Sequence, residues 1–375
     1  MRIQLALTDD WELRGDGSGD IEQIQFRAMR ELAHLYDSHK IKSTFNVEVM
    51  QQLTFRTLQE SHPQLKQRAD AWEEHVRMVF NRGHDIQLHI HPQWSRVNFE
   101  NDQWVLSGDW SLLNYEPAES YKMLSASKAY LEKLLVPLNP NYRCVSFRSG
   151  SSAIAPSAFA LRQLAELGIV FDMSLVQGLR VNTRNLQLDY TNCTEGFLPF
   201  YPQMDDARRV SDKVEPIVCV PIFSFDLSRR RCLATVLHKL KEKAKLRHSR
   251  DQETGTYASY EWDEVGRSAL SAKVYDKVIS PCLNGKHVVA DIGRLDFPSL
   301  REMLKAIRDA AHKSRQSEVW VVLTNHSKYI SDLSHIDRFL NETRKNDEIN
   351  FVTLSMIADQ IRLGRIKPLT ANHAN

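Results

Sequence analysis

Glu318-Val319-Trp320-Val321-Val322-Leu323-Thr324-Asn325-His326-Ser327-Lys328 is the clearest buried strand in the chain. Its apolar residues run on without alternation. A strand of that kind is covered on both faces, as in a parallel sheet flanked by helices. Polar residues begin abruptly at its end, and His326 lies just beyond. Leu167-Gly168-Ile169-Val170-Phe171-Asp172 is a shorter run of the same kind, ending at Asp172. Met1-Arg2-Ile3-Gln4-Leu5-Ala6-Leu7 runs into Thr8-Asp9-Asp10-Trp11, and Cys144-Val145-Ser146-Phe147 runs into Arg148-Ser149-Gly150. Any one of these polar residues is ordinary; Asp also favours turns and helix N-caps. Their repetition is informative, because parallel β/α barrels gather catalytic groups at the C-terminal ends of different strands. Helical patterns alternate with these runs, predicting helices over 20–36, 71–80, 116–135, 156–167, 299–313 and 354–363, and a last strand over 350–353. The fold class predicted is α/β, with a parallel sheet.

Gly83-His84-Asp85-Ile86-Gln87-Leu88-His89-Ile90-His91-Pro92 carries the densest chemistry. Residues 86–91 alternate apolar and polar, which reads as a strand. His89 and His91 then share one face, while His84, five residues before His89, turns to the other. Two imidazoles at a strand end can be two ligands of one metal ion, and a third ligand would complete a site with a position left for water. Polar residues on a half-exposed strand are an equal reading of the pair alone. Asp9 and Asp10 leave their strand pointing different ways, so one can bind metal while the other faces substrate.

These motifs, in order, resemble the polysaccharide deacetylase family (NodB homology, carbohydrate esterase family 4). Leu7-Thr8-Asp9-Asp10 stands where the family has Thr-Phe-Asp-Asp. Ser43-Thr44-Phe45-Asn46-Val47 is similar to its Ala-Thr-Phe-Phe-Val, and Gly83 to Pro92 to its Gly-His-Glu-Ile-Gly-Asn-His run, with the two histidines two residues apart rather than four. Phe147-Arg148-Ser149-Gly150 resembles the arginine motif without its Pro-Tyr. Phe171-Asp172-Met173-Ser174 resembles the fourth motif without its Asp-Trp, and Leu323-Thr324-Asn325-His326 resembles the closing Leu-x-His. The resemblance implies a distorted parallel (β/α) barrel of seven strands, a single barrel over 1–375 with hairpin and helical insertions. It implies a divalent metal, zinc first and cobalt, manganese or iron next, on Asp10, His89 and His91. Asp9 would be general base with Arg148 paired to it, and His326 general acid oriented by Asp172. The reaction implied is hydrolysis of an N-acetyl group from an amino sugar or saccharide precursor, including phosphorylated or lipid-linked ones, in bacterial surface-polysaccharide metabolism.

Two stretches depart from a minimal barrel. Residues 98–117 hold Trp104, Trp110 and Tyr115, with Trp94 just before. Such rings can stack on sugar faces, with Ser149 and Gly150 as further substrate contacts, or can simply pin the loop. Residues 228–285 begin with a basic stretch, Arg229-Arg230-Arg231 through Lys239, Lys241, Lys243, Lys245, Arg247 and Arg250, opposed by Glu242. It reads as an inserted amphipathic helix, a solvated face or a surface for an anionic partner. Phe197 to Pro202 and Cys219 to Ile222 read as a hairpin-rich extension.

Composition bounds the rest. The chain has 375 residues, 42% of them hydrophobic, and a net charge of +2, so it can bury a large core and has no global pull toward nucleic acid. Asp9 and Asp10 interrupt any N-terminal apolar region, which argues against a signal peptide, and no apolar run is long enough to span a membrane. Five scattered cysteines lack metal-knuckle spacing and fit a reducing, cytoplasmic setting. Two rival functions share the fold: an amidohydrolase for a small non-sugar amide such as a ureide, and a carbohydrate-binding relative without catalysis. A long aromatic groove favours the sugar, a small closed pocket the ureide.

Overall fold

A computed structural model describes residues 1–183, 186–234, 285–330 and 332–373. Eight strands make one sheet: β1 (Arg2–Trp11), β2 (Thr44–Glu48), β3 (Asp85–Ile90), β4 (Ser146–Ser149), β5 (Phe171–Asp172), β6 (Val218–Cys219), β7 (Glu318–Leu323) and β8 (Ile349–Val352). Every pairing among them is parallel, in the order β6-β5-β4-β3-β2-β1-β7, with β8 beside the first half of β1. The sheet curls until its two ends meet. Ile222, just past β6, bridges Val322 of β7 in parallel, and Asp291 bridges Thr324. Strands β1 to β7 therefore make the seven-stranded distorted barrel that the sequence predicts.

The strand sequences explain the closure. From Ile3 to Trp11, β1 is buried throughout, as are all of β2 and β3. A strand with no wet face needs cover on both sides. The helices provide it: α1 (Ala28–Ser38), α2 (Val49–Leu58), α3 (Pro63–Asn81), α4 (Pro117–Leu135), α5 (Ala160–Glu166), α6 (Phe297–Ser314), α7 (Ser334–Thr343) and α8 (Leu354–Arg362). Trp11, Phe26 and Trp72 pack between β1 and the outer helices. Proline in the first turn helps to start α3, α4 and α6, where a missing N–H costs nothing.

Several boundaries differ from the sequence reading. The first helix is preceded by a wider turn over Glu22–Arg27, α3 begins eight residues early at Pro63, and α5 starts only at Ala160. Val49–Leu58 is helical, although nothing marked it: it leaves β2 without a break, and it buries Gln51 and Gln52. Phe200 and Cys219 do meet in an antiparallel bridge, but residues 218–222 also supply a barrel strand and its closing bridge, with Val218, Val220 and Ile222 buried against β5 and β7. The hairpin lies next to them, at Pro202–Gln203 and Asp206–Val210. Further hairpins pair Val97–Glu100 with Gln103–Leu106, Arg180–Asn182 with Gln187–Asp189, and Ser224–Leu227 with Lys286–Val289. Residues 229–234 are helical; most of the basic stretch, 235–284, lies outside the described residues. No helix among the described residues is long and apolar enough to cross a membrane.

Candidate functional site

The C-terminal strand ends converge on one cavity of about 2650 Å³, whose wall includes Asp10, Glu12, His89, His91, Arg148, Asp291, His326 and Lys328. His89 is the last but one residue of β3 and His91 stands just past the strand, with ring centroids 4.8 Å apart. The carboxylates beside them are Glu12 and Glu48. Glu12 Oε2 lies 3.1 Å from His89 Nε2 and 3.0 Å from His91 Nδ1, and Glu48 Oε2 lies 4.0 Å from His91 Nδ1. All four side chains are buried, and one ligand atom from each falls within 4.8 Å of the others.

The donor set fits a divalent cation. His89 Nδ1 is 2.9 Å from the Arg148 carbonyl, which can only accept, so the proton sits on Nδ1 and Nε2 faces the cluster. Burial opposes a charge on His89, yet Glu12, Asp10 and Glu48 hold its pKa up at about 9. A cation would replace that proton. Burial likewise opposes the Glu12 charge, but Lys328 and the two histidines keep the carboxyl well below its usual range. Glu48 Oε1 accepts from the backbone N–H groups of Met50 and Gln51 at the start of α2, while Oε2 is buried without a hydrogen-bond partner. Burial raises the Glu48 pKa. A buried carboxylate oxygen without a hydrogen-bond partner, close to two imidazoles, suits a divalent cation as its partner. The chain also makes room for His91: a Cβ on Gly150 would come 2.0 Å from His91 Cδ2 and 2.7 Å from the Ile90 carbonyl oxygen.

Asp10 stands beside this group but outside it. Its Oδ1 accepts from Asn46 Nδ2 at 3.0 Å, and its Oδ2 from Arg148 Nε at 3.0 Å. His326 Nε2 is 3.4 Å from the same Oδ2. Burial works against ionising Asp10, and the Arg148 guanidinium, with His89 and His326, outweighs it and brings the pKa to about 2. Arg148 thus pairs with Asp10, not with Asp9 as the motifs suggested. The reason is strand alternation. Asp9 turns to the other side of β1, where its Oδ1 accepts from Asn325 Nδ2 at 2.8 Å and from the Ser327 N–H at 3.0 Å. Asp9 is fully buried, and burial with the nearby Asp10 charge raises its pKa well above the usual range.

The second correction concerns His326. Its Nδ1 is held by Asp291 Oδ2 at 2.8 Å. Asp172 instead accepts from the Ser174 N–H at 3.0 Å and Oγ at 2.6 Å, and burial pushes its pKa up to about 6. The Ser174 carbonyl in turn accepts from Arg148 at 3.3 Å, so Asp172 braces the arginine's surroundings. The expected sugar contacts divide. Trp110 lines the cavity, its ring 6.5 Å from that of His91. Trp94 is buried against Phe55 and Trp104, and Trp104 packs on Phe55 and Phe99, so both pin the loop. Ser149 is buried, donating to the Ala153 carbonyl; its neighbours Ser151 and Ser152 reach the cavity wall, while Gly150 serves to seat His91. His84 lies at the far end of β3, against Ser43 and Asp37.

The sequence reading missed Glu12, Glu48, Asp291 and Lys328. Glu12 had a signal, since it follows Asp10 by two residues and so shares its face of the strand, and Glu48 stands just past the motif that ends at Val47. Asp291 and Lys328 had none beyond a position near a strand end.

No family model matches the chain, and no curated protein matches it in sequence. Solved structures do match in shape. A protein from Mycobacterium smegmatis described as a polysaccharide deacetylase superposes with a TM-score of 0.52 at 15% identity, covering 98% of this chain and 93% of that one. One from Parabacteroides distasonis, described as a glycoside hydrolase/deacetylase, gives 0.54 at 13% identity, covering 96% and 71%. The fold is the polysaccharide deacetylase barrel. At these identities the likeness concerns the fold; the chemistry has to come from the chain's own residues.

Proposed function

We propose that this chain is a metal-dependent hydrolase that removes the acetyl group from an N-acetylated amino sugar or saccharide precursor. One observation carries the reading: a buried two-histidine, two-carboxylate cluster opens into the same cavity as an Asp–Arg pair and an Asp–His pair. Glu12, Glu48, His89 and His91 would hold the ion, with zinc the first choice. When bound, such an ion polarises an amide carbonyl and makes water acidic enough to attack near neutral pH. Asp10, kept ionised by Arg148, takes the proton of the attacking water. His326, held by Asp291, has its Nε2 beside Asp10 and gives a proton to the departing nitrogen. A C–O bond forms, the C–N bond breaks, and acetate and a free amine result. The motif-based assignment, with Asp10 on the metal and Asp9 as base, is the alternative within this mechanism.

The cavity's size and the aromatic edge given by Trp110 and Tyr329 favour an extended sugar over a small ureide. The buried free thiols of Cys144, Cys193 and Cys219 support action on a cytoplasmic precursor, phosphorylated or lipid-linked, in surface-polysaccharide synthesis. The test is acetate release by zinc-, cobalt- and manganese-loaded protein. Its substrates are N-acetylglucosamine oligomers, nucleotide-linked and lipid-linked N-acetyl sugars, and allantoin as the rival. Release from an N-acetyl sugar, abolished in His89→Ala and His91→Ala together with bound metal, is the expected result. Turnover of allantoin alone selects the ureide reading. Metal-loaded protein that binds sugars and turns over none of them leaves the non-catalytic relative.

A further inference from the structure

Lys328 has no place in the scheme above, yet it is a buried ammonium in the cavity wall. It follows His326 by two residues, on the short turn Ser327–Tyr329 that Asp9 ties down through the Ser327 N–H. Its Nζ donates to Glu12 Oε1. The two oxygens of Glu12 thus have separate tasks: Oε1 faces the lysine, and Oε2 faces both histidines. A carboxylate free at both oxygens can chelate a divalent ion with both; one whose second oxygen is occupied by an ammonium can offer only the first. Glu48 is held in the same way, with Oε1 occupied by two backbone N–H groups and only Oε2 turned to the cluster.

We propose that Lys328 is a positioning residue that limits Glu12 to a single ligand oxygen, and so keeps a coordination position open on the cavity side. The inference rests on the metal-binding part of the proposed function and is independent of the substrate. Two carboxylates and two imidazoles giving one atom each supply four donors. A fifth from Glu12 would crowd the place that a reacting group must take. Losing the lysine also takes a positive charge from beside the cation, so the ion should not bind more weakly.

The experiment compares cobalt(II)-loaded wild type, Lys328→Met and Lys328→Arg. Visible absorption of cobalt(II) weakens as its coordination number rises, and metal affinity follows from competition with a chelating dye. Lys328→Met should show weaker visible bands and an affinity equal to or above wild type. Its kcat should fall about 10- to 100-fold, in the range set for supporting residues around a metal, with a smaller change in KM. Lys328→Arg, which keeps the charge and the donor, should restore the wild-type spectrum. A wild-type spectrum in Lys328→Met overturns the proposal, as does a loss of affinity accompanied by a lower melting temperature, which marks a merely structural lysine. Wild type that takes up no cobalt defeats the metal reading itself, a separate outcome.

Discussion

Asp9 and Asp10 are neighbours in sequence with opposite environments, and the difference decides which one can move a proton. Asp10 faces the cavity and is held ionised near pKa 2 by Arg148 against the cost of burial. Asp9 faces the β7 turn, and its burial favours the neutral form. An amide suits that place, since an Asn Oδ1 can accept from Asn325 and Ser327 as the carboxylate does. Asp9→Asn should therefore keep activity within about tenfold, whereas Asp10→Asn should keep the metal and lose about a hundred- to ten-thousand-fold in kcat. Steady-state rates with metal content measured on the same samples check both; inactive Asp9→Asn with active Asp10→Asn returns the base to Asp9. Gly150 makes a complementary case. An added methyl would meet His91 and the Ile90 carbonyl, neither of which is the loose end of a flexible chain. Gly150→Ala should weaken metal binding about 10- to 100-fold by displacing His91, without touching any ligand chemically. An unchanged dissociation constant would show that the backbone there yields.

Glu48 joins two elements: it ends β2 and caps α2, with one oxygen on the helix N–H groups and the other facing the histidines. The two tasks separate by substitution. Glu48→Gln can keep the cap through Oε1 but puts an NH₂ where the cation would be, so it should hold its stability and lose affinity for the metal. Glu48→Ala loses both, with about 1 kcal/mol of stability gone in addition. Urea unfolding of the metal-free proteins, compared with metal titration, distinguishes them. A Glu48→Gln that binds metal as wild type does would remove Glu48 from the ligand set. Elements were legible in the sequence where burial on both faces leaves one reading. The long runs of β1 and β7 needed no tertiary knowledge, and β3 showed itself by alternation, although both its faces are buried. Val218–Cys219 could not be recognised, since a two-residue strand has no period, and α2 was hidden because its Gln51 and Gln52 are buried by partners that only the fold supplies. The site follows the same rule. His89, His91, Arg148 and His326 stand at strand ends visible in the sequence. Which carboxylate meets which cation depends on register between strands, and that is set by β1 pairing with β2 and β7 at once.

Across the whole barrel, the reactive ends and the supporting ends of the strands divide the histidines by role. His89, His91 and His326 sit at the cavity, among carboxylates. His84 enters β3 from the opposite end, its side chain buried, with Nδ1 accepting from the Ser43 N–H and Nε2 3.3 Å from Asp37. Lys42 and Arg82 already hold Asp37, so its charge is largely spent on them. Burial then dominates and lowers the His84 pKa from 6.5 to about 4. The sign follows from linkage. Between those values the unfolded chain takes up a proton on His84 that the folded chain refuses, so stability falls as pH drops from about 6.5 to about 4 and levels off below. The full effect is on the order of 3 kcal/mol, a large share of the margin by which a protein of this size stays folded. Asp85, Asp172 and Asp9, whose pKa values are raised, act in the other direction, favouring the folded state in acid. The His84 contribution therefore needs a difference measurement. His84→Asn places an amide oxygen where Nδ1 accepts from Ser43 and carries no titrating group. Its unfolding free energy, measured by urea at pH 7.5, 6, 5 and 4, should lie below wild type at the highest pH, where only the lost packing counts. The gap should close or reverse toward pH 4, as wild type alone bears the cost of excluding the proton. Parallel curves for the two proteins over that range would mean that His84 takes its proton in the folded state as readily as in the unfolded one.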